Sequence, residues 1–429
     1  EDLNAMNDGY VFENIYADSG GATTTASAGA QSLVSAGVVA VVGAAGSDAS
    51  IGANSVLAPA GIPMISFAST SPTLSDATTH PHFFRVVPSD YLQGQALADV
   101  VEGAGYSNTA VIAQNDAYGA GLADGFAANF DGDICARYDF DQTNFDALVD
   151  TEAAITGVAA AGDCDSVVFV TYPDAGAQFI GAMYVAGVSL PYFGGDGMAG
   201  LAALSAYADS GLANGMVTTS PKAGSTSYDG DFPTRCAADV TTTTNEAGDE
   251  VSTGCGAGIY TSEAYDAVMM AAAAAKMENG ANMATHIAMV GSGDGFPGAS
   301  GTHVFQANGD VTGSGYDVCT FQIVPTYGDY FNCMQQWDGS LSDVEFAGQT
   351  VKIGYMGDQS SAAIAGLWPS FMTAGALAMQ MANAIGYSNG VQFELVTADT
   401  GCDGNGVPAT GTTAADQLLL AGVWGAVGA

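Results

Sequence analysis

Six polar side chains stand where apolar runs end, and their types suit a small zwitterion. Ser47 follows Val38–Gly43, Ser69 and Thr70 follow Ile62–Ser66, and Tyr118 follows Thr109–Ala113. Tyr172 follows Ser166–Thr171, and Asp196 follows Tyr192–Gly194. In open parallel sheets ligands sit beyond the carboxyl ends of strands, so these positions are expected to share one crevice. Hydroxyls, with free backbone N–H groups at helix starts, hold a carboxylate without arginine. Asp196 and a backbone carbonyl would hold an ammonium. Each residue has a structural role open to it as well. Ser47, Ser69 and Thr70 could cap helices, Tyr118 and Tyr172 could pack, and Asp196 could form a turn. Their coincidence at strand ends is the argument for a site.

Other chemistries find less support. G-x-G-x-x-G occurs at Gly195–Gly200 and Gly293–Gly298, but 58 glycines in 429 residues produce about one such match by chance. The first match puts Asp196 where a pyrophosphate would lie, and the second contains Pro297. The sequence contains no H-E-x-x-H and no Walker A lysine. His80 and His82 flank Pro81 in an expected surface loop. Asp399 and Asp403 have glycine at the intermediate position of an EF-hand. With 45 acids present, nominating a catalytic carboxylate pair carries no information. No enzyme, metal or cofactor is expected.

The elements that must position the six residues alternate. Strands are expected at Val38–Val42, Ile62–Ser66, Thr109–Ala113, Ser166–Thr171 and Val351–Met356. Helices are expected at Tyr91–Val101, Tyr118–Phe130, Phe145–Ala160, Ala175–Ala186 and Ser262–Met277. Continuous rather than alternating apolar strands mean parallel sheets covered on both faces, an α/β fold. From Thr218 to Gly258 the pattern gives way to a Thr/Ser/Gly/Asp-rich insertion. Cys319–Trp337 has the pattern of a β-hairpin with a Tyr-Gly-Asp turn.

The chain also repeats itself. SAGVVAVVGA at 35–44 returns as LAGVWGAVGA at 420–429, and FENIYA at Phe12–Ala17 returns as FELVTA at Phe393–Ala398. One module therefore runs to about Gly348, and a second, incomplete one covers 349–429. The second opens with a strand, VKIGYMG, that the first lacks. In a 2-1-3-4-5 sheet that strand belongs between Phe12–Ala17 and Val38–Val42. The sequence favours Val351–Met356 filling that gap in the first module, as in a circular permutant, over pairing with its own repeat.

Acids outnumber bases 45 to 6, a net charge of −39, which excludes nucleic-acid binding and leaves no basic stripe for an anionic membrane. The excess is spread along the chain, reads as solvated surface, and points to a saline, halophilic habitat. No apolar stretch reaches 18 residues, so no direct membrane insertion is expected in this segment. Among the seven cysteines, sequence proximity suggests Cys135–Cys164, Cys236–Cys255 and Cys319–Cys333 out of 15 ways to pair six. Cys402 is left as a free thiol, its partner expected beyond Ala429. Disulfides place the chain periplasmic, extracellular or on the cell surface.

The ordered segments GVVAVVGAAGSDAS, GIPMISFASTSPTLSD, FFRVVPSDYLQGQALAD and AVIAQNDAYGAGLADGF resemble type I periplasmic solute-binding proteins. The closest group is the branched-chain amino-acid (Leu/Ile/Val) receptors of ABC transporters. VVFVTYPDAGAQFIGAM, LPYFGGDGMAG, YTSEAYDAVMMAAAA and FPGASGTHVFQANGDV continue the series, covering nearly all of 1–346, and 349–429 resembles the family's first 80 or so residues. The resemblance implies two Rossmann-like lobes. Lobe I would comprise 1–105 and 224–302, and lobe II 106–223 and 303–346, with hinges near Gly105, Lys222 and His303. It further implies a ligand carboxylate on Ser47, Thr70 and nearby amides. The ammonium would meet Asp196, the Ala68 carbonyl and the Tyr118 phenol. Tyr172 would line the second lobe's side, and Trp368 of the second copy falls at a wall position. The first module departs from the family in lacking its opening strand, and Gly46 occupies one position of a disulfide that some members form near the ligand.

The expected function is capture of a small amino acid or related polar solute between the lobes, for delivery to an ABC transporter permease. The alternatives are a ligand-sensing ectodomain or repeat module of a surface protein, and a spacer with an unoccupied cleft.

Overall fold

The computed structural model describes residues 2–5, 8–199, 212–222, 228, 230–244, 250–255, 259–324, 328–344, 349–357, 375, 391–399, 418 and 425–428. It divides into two compact units, Glu1–Asp343 and Val344–Ala429.

The first unit opens with a short helix, α1 (Asp2–Ala5), and contains two main sheets. In the smaller, β1 (Val41–Val42), β2 (Met64–Ser66) and β3 (Phe83–Arg85) lie parallel in chain order. Every residue of β2 and β3 is buried, because both faces of the sheet are covered. On one face, α2 (Thr23–Ala36) and α3 (Ser47–Leu57) pack Ala26, Ala30 and Leu57 with Met64, Leu74 and Phe83. On the other, Ile65, Phe84 and Val86 meet Ala267, Met270 and Ile287. Those residues come from α9 (Thr261–Met277) and α10 (Met283–Val290).

The larger sheet has eight strands. β4 (Asn108–Gln114), β5 (Asp133–Phe140), β6 (Ser166–Val170), β7 (Tyr192–Gly194) and β8 (Val217–Pro221) run parallel in the order β5-β4-β6-β7-β8. That is the 2-1-3-4-5 order of a doubly wound sheet, whose right-handed crossovers place helices on both faces. α6 (Ala147–Ala161) and α7 (Pro173–Val185) pack Val158, Phe179 and Ile180 on one side. α4 (Asp90–Gly103) and α5 (Ala117–Asn129) pack Leu97, Val101, Leu122 and Phe126 on the other. α4 and α5 touch backbone to backbone: a Cβ on Gly94 would lie 2.4 Å from the Gly125 carbonyl carbon. Beyond β8 the sheet continues antiparallel through β13 (Tyr316–Val324), β14 (Gly328–Trp337) and β15 (Leu341–Asp343). The hairpin read from the sequence is thus present, with Tyr327 of its turn outside the described residues.

Two lobe boundaries differ from the sequence reading. α4 lies in the core of the larger sheet, so the crossing precedes it, near Pro88, rather than at Gly105. Phe305 and Asp310 join the smaller sheet, through Phe84 and Arg85, rather than the larger. In both places a helix or loop follows its apolar partners instead of its neighbours in sequence.

The polar insertion forms α8 (Phe232–Ala238) and the antiparallel pair β9 (Thr241–Thr244) and β10 (Glu250–Thr253). A separate hairpin, β11 (Phe296–Gly298) with β12 (Gly301–His303), is tied to α9 by Asp266. All three expected disulfides are present, Cys135–Cys164, Cys236–Cys255 and Cys319–Cys333, while Cys402 lies outside the described residues. Titration of denatured protein with Ellman's reagent should therefore find one thiol per chain, rising to seven after reduction. Seven before reduction would overturn the assignment to an oxidising compartment.

In the second unit β16 (Gln349–Gly357) is central, parallel to β17 (Val391–Asp399) on one side and β18 (Gly425–Gly428) on the other. This corrects the permutant expectation. Nine residues of β16 pair with β17, Gln349 opposite Val391 through Gly357 opposite Asp399. A ladder that long within one repeat outweighs a strand loan to another module. Residues 10–18 enter no ladder, and β1 pairs with β2 alone.

Candidate functional site

The start of α3 carries no side-chain cap. Gly46 is its N-cap, and the first N–H groups are left to other partners. Ser47, 3% exposed, accepts a hydrogen bond at Oγ from the Ser71 N–H at 3.2 Å. That fastens the turn after β2 to α3. Ser69 is also structural: its hydroxyl donates to the carbonyls of Ala44 and Ala45 and lies 2.7 Å from Ser50 Oγ. Ala68 is half-buried, its N–H pointing to Ser66 Oγ. Thr70 differs from both serines. Its buried Oγ1 has no partner within ordinary hydrogen-bond distance, but the hydroxyl faces the Asp90 carboxylate and works against the rise of its pKa.

On the larger sheet, β7 ends in a 3-10 turn, Asp196–Met198, that buries Asp196. Tyr118 donates from its phenol to Asp196 Oδ1 at 3.0 Å and accepts from the Gly197 N–H. Tyr260 donates to Oδ2. Gly197 permits this approach, since a Cβ there would stand 2.6 Å from the Tyr118 oxygen. Gly195 and Gly197 of the first G-x-G-x-x-G match therefore serve packing around a carboxylate rather than a phosphate. Tyr172, the N-cap of α7 and 40% exposed, stacks on Tyr118 with ring centroids 5.6 Å apart. Its phenol approaches Gly46 on the far side. The Asp48 carboxylate accepts from the Ala117 N–H at 3.2 Å, linking the starts of α3 and α5. Ser47, Thr70, Tyr118, Tyr172 and Asp196 thus border one region, with Ser69 bracing it from behind. Trp368 lies outside the described residues.

Three participants escaped the sequence reading. Asp90, the first residue of α4, is fully buried, and neither carboxylate oxygen has a partner within ordinary hydrogen-bond distance, the Thr70 hydroxyl being the donor that faces it. Gln93, one turn on, donates to Thr219 and leaves its Oε1 unpartnered. Tyr260 sits at φ +60° just before α9. Asp90 reads in sequence as an ordinary first-turn acid, favoured by the helix dipole, so nothing marked it. Tyr260 precedes its helix with no apolar period to place it.

Burial pushes Asp90 well above the usual carboxylate range, and the neighbouring Asp196 charge pushes it further. Burial also raises Asp196, offset in part by the phenols of Tyr260 and Tyr118. Tyr118, Tyr172 and Tyr260 are raised first by burial and then by nearby carboxylates, so all three remain protonated donors. Two desolvated carboxylates ringed by phenols form a place where a cation is wanted. The nearest guanidinium is already engaged. Arg85, 0% exposed, pairs with Asp310 at 2.7 Å. It also donates to the carbonyls of Ser69 and Ser71 and to Ser75 Oγ.

A Ser-His-Asp trio elsewhere has another role. His303 Nε2 lies 2.9 Å from Asp266 Oδ2 and 3.1 Å from Ser300 Oγ. A proton relay needs opposite ring nitrogens facing the acid and the nucleophile. Here one nitrogen meets both, and Ser300 donates to Asp266 itself. The trio pins the β11–β12 hairpin to α9. Among the described residues no cluster of His, Cys, Asp and Glu could hold a metal.

Residues 1–323 match the "Receptor family ligand binding region" family. The chain belongs to this family. Among solved structures, the leucine-binding protein LivK of Thermotoga maritima superposes with a TM-score of 0.62 at 20% identity, covering 77% of this chain and 91% of that one. The branched-chain amino-acid transporter substrate-binding protein LivJ of Streptococcus pneumoniae, in complex with isoleucine, gives 0.59 at 23%, covering 75% and 88%. At these identities the likeness establishes the fold, a type I periplasmic-binding architecture. Curated relatives include metabotropic glutamate receptor 6 of Oryctolagus cuniculus, 45% identical over 89 residues. Metabotropic glutamate receptor 4 of Macaca fascicularis is 40% identical over 100. These matches cover 21% and 23% of the chain and only 10% and 11% of the receptors. The family and fold are those of binding proteins and receptor ligand-binding domains. No helix among the described residues is long and apolar enough to cross a membrane.

Proposed function

We propose that this ligand-binding-family chain captures a small amino acid outside the cytosol, in the crevice between its two sheets, and does no chemistry on it. One observation carries the reading: the buried Asp90–Asp196 pair, with the phenols of Tyr118 and Tyr260 on Asp196 and the Thr70 hydroxyl facing Asp90. An α-ammonium meets Asp196 and offsets the cost of burying two carboxylates. The α-carboxylate takes the Thr70 hydroxyl and the uncapped N–H groups of α3. Tyr172 supplies a wall, and hinge motion between the sheets admits and releases the ligand. Delivery to an ABC permease belongs to the same proposal, and the fold shared with transporter-binding proteins supports it. The receptor relatives favour a second reading, a sensing ectodomain using the same crevice. The full-length polypeptide discriminates, since a membrane span joined to a signalling module supports sensing.

The test is a thermal-shift screen of the twenty amino acids with amides, urea and short peptides. A ligand at a hundred times its dissociation constant adds about 2.7 kcal/mol of stability. Transitions unmoved by every amino acid would refute the reading.

The raised carboxylates give a pH signature. Unfolded aspartates titrate near about 3.9, whereas Asp90 and Asp196 hold protons to higher pH in the fold. Between those limits the folded state binds more protons than the unfolded state, so their contribution to stability falls as pH rises through the window. Asp90→Asn should flatten that fall. A bound ammonium favours the ionised carboxylates, so binding at mildly acidic pH should release protons. Calorimetry in buffers of different ionisation enthalpy measures that release, and proton uptake would contradict the assignment.

A further inference from the structure

The crevice carries more negative charge than the single ammonium of a neutral amino acid answers. Asp90 and Asp196 are buried there, and two more carboxylates meet at the start of α5. Asp116, the N-cap of that helix, accepts from the Gly119 N–H at Oδ1 and from Gln114 Nε2 at Oδ2. Asp48 reaches the adjoining Ala117 N–H from α3. Burial raises Asp116, offset in part by the Gly119 N–H, and the Asp48 charge raises it further. Tyr172 links the two pairs. Its ring stacks on Tyr118, whose phenol donates to Asp196. Burial first, and then the charges of Asp116, Asp196 and Asp90, keep the Tyr172 phenol protonated.

The chain's own cations leave most of this charge unanswered. All six Lys and Arg lie among the described residues. Arg85 acts on Asp90, but it is 0% exposed and paired with Asp310. Arg137, Arg235 and Lys276 pair with acids of their own, Lys222 donates to Gln336, and Lys352 belongs to β16 of the second unit. The polar atoms left over beside Asp196 are acceptors. Neither Asp90 oxygen nor Gln93 Oε1 has a partner within ordinary hydrogen-bond distance, and both residues are fully buried.

A neutral amino acid brings one negative charge with its positive one and leaves the sum in the crevice where it was. An acidic side chain would add to it. In a desolvated site each further like charge raises the cost of keeping the others ionised. A ligand of net positive charge lowers that cost, and its additional N–H donors meet the spare acceptors.

Given capture of an amino acid, as proposed, we infer that the crevice selects amino acids with a cationic side chain. The α-ammonium goes to Asp196 and Asp90, and the second cation goes to Asp116 and Asp48 at the start of α5. Tyr172, 40% exposed, offers that second cation a ring face.

The probes are L-lysine and L-norleucine, which is lysine without its terminal ammonium. Calorimetry on the full chain should give lysine a dissociation constant lower by roughly tenfold or more, with no binding of L-glutamate. Asp116→Asn removes the charge and keeps a capping acceptor for the Gly119 N–H. It should bring lysine close to norleucine while leaving norleucine unchanged. A variant that weakens both ligands by the same factor makes Asp116 a cap alone and overturns its assignment. Norleucine binding the unaltered chain as tightly as lysine overturns the inference and leaves amino-acid capture standing. Preference for glutamate overturns it too, as does failure of lysine to bind at millimolar concentration, whichever neutral amino acids do bind. Cadaverine binding as tightly as lysine supports the second cation but removes the α-carboxylate, and with it the amino-acid reading.

Discussion

Asp196→Ala should abolish binding of any α-amino acid the protein retains. Asp196 is 4% exposed and receives the phenols of Tyr118 and Tyr260, so a bound ammonium would meet its charge with little water between. Removing one partner of a buried charge pair costs on the order of 3–5 kcal/mol. At about 1.4 kcal/mol per decade that is a loss of a hundred- to several-thousand-fold in affinity. Asp196→Asn separates charge from shape, because it keeps an acceptor for one phenol. It should lose nearly as much affinity while leaving the unliganded protein as stable or more so, since burial already penalises this carboxylate. Calorimetry showing unchanged affinity in either variant removes the zwitterion reading and points to a neutral or anionic ligand.

The sequence exposed most of the fold because the fold is written in apolar runs. Continuous strands such as Ser166–Val170, buried at every position, admit only a sheet covered on both faces, and the helices between them followed. Strand ends then located Thr70, Tyr118, Tyr172 and Asp196 by simple geometry. Residue type alone could not separate Thr70, whose hydroxyl faces the buried Asp90, from Ser69, whose hydroxyl is spent on Ala44 and Ala45. That difference lies in χ angles and neighbours. Asp90 and Tyr260 were hidden for a related reason: each joins Asp196 only through tertiary packing across long stretches of chain. The misplaced strand has a different origin. The repeat showed which segments β16 could pair with, but two equivalent partners existed, and periodicity contains nothing that chooses between them. Sequence proximity within the second unit made the choice.

Arg85→Ala should be the most destabilising single change in the smaller sheet. The chain has only six Lys and Arg, and this one is 0% exposed. Its guanidinium reaches Asp310 at 2.7 Å, the Ser69 and Ser71 carbonyls at 3.2 and 3.0 Å, and Ser75 Oγ at 2.7 Å. It therefore braces the loop that carries Thr70 against the segment 304–311. Truncation leaves Asp310 buried without its cation and the Ser69 carbonyl without the guanidinium, while Ser71 keeps the Leu74 N–H, a loss on the order of 3–5 kcal/mol for the broken pair. Chemical denaturation should show that loss in midpoint. Arg85→Met combined with Asp310→Leu isolates the ion pair, because replacing both charges with apolar groups is often close to neutral. Recovery in the double variant should be partial, since the Ser69 carbonyl and Ser75 hydroxyl still lack the guanidinium. Ligand affinity should fall in the single and the double variant alike, because the loop is loosened in both. A double variant that regains stability but not affinity assigns Arg85 to positioning Thr70. One that regains both would reduce Arg85 to a buried counter-charge.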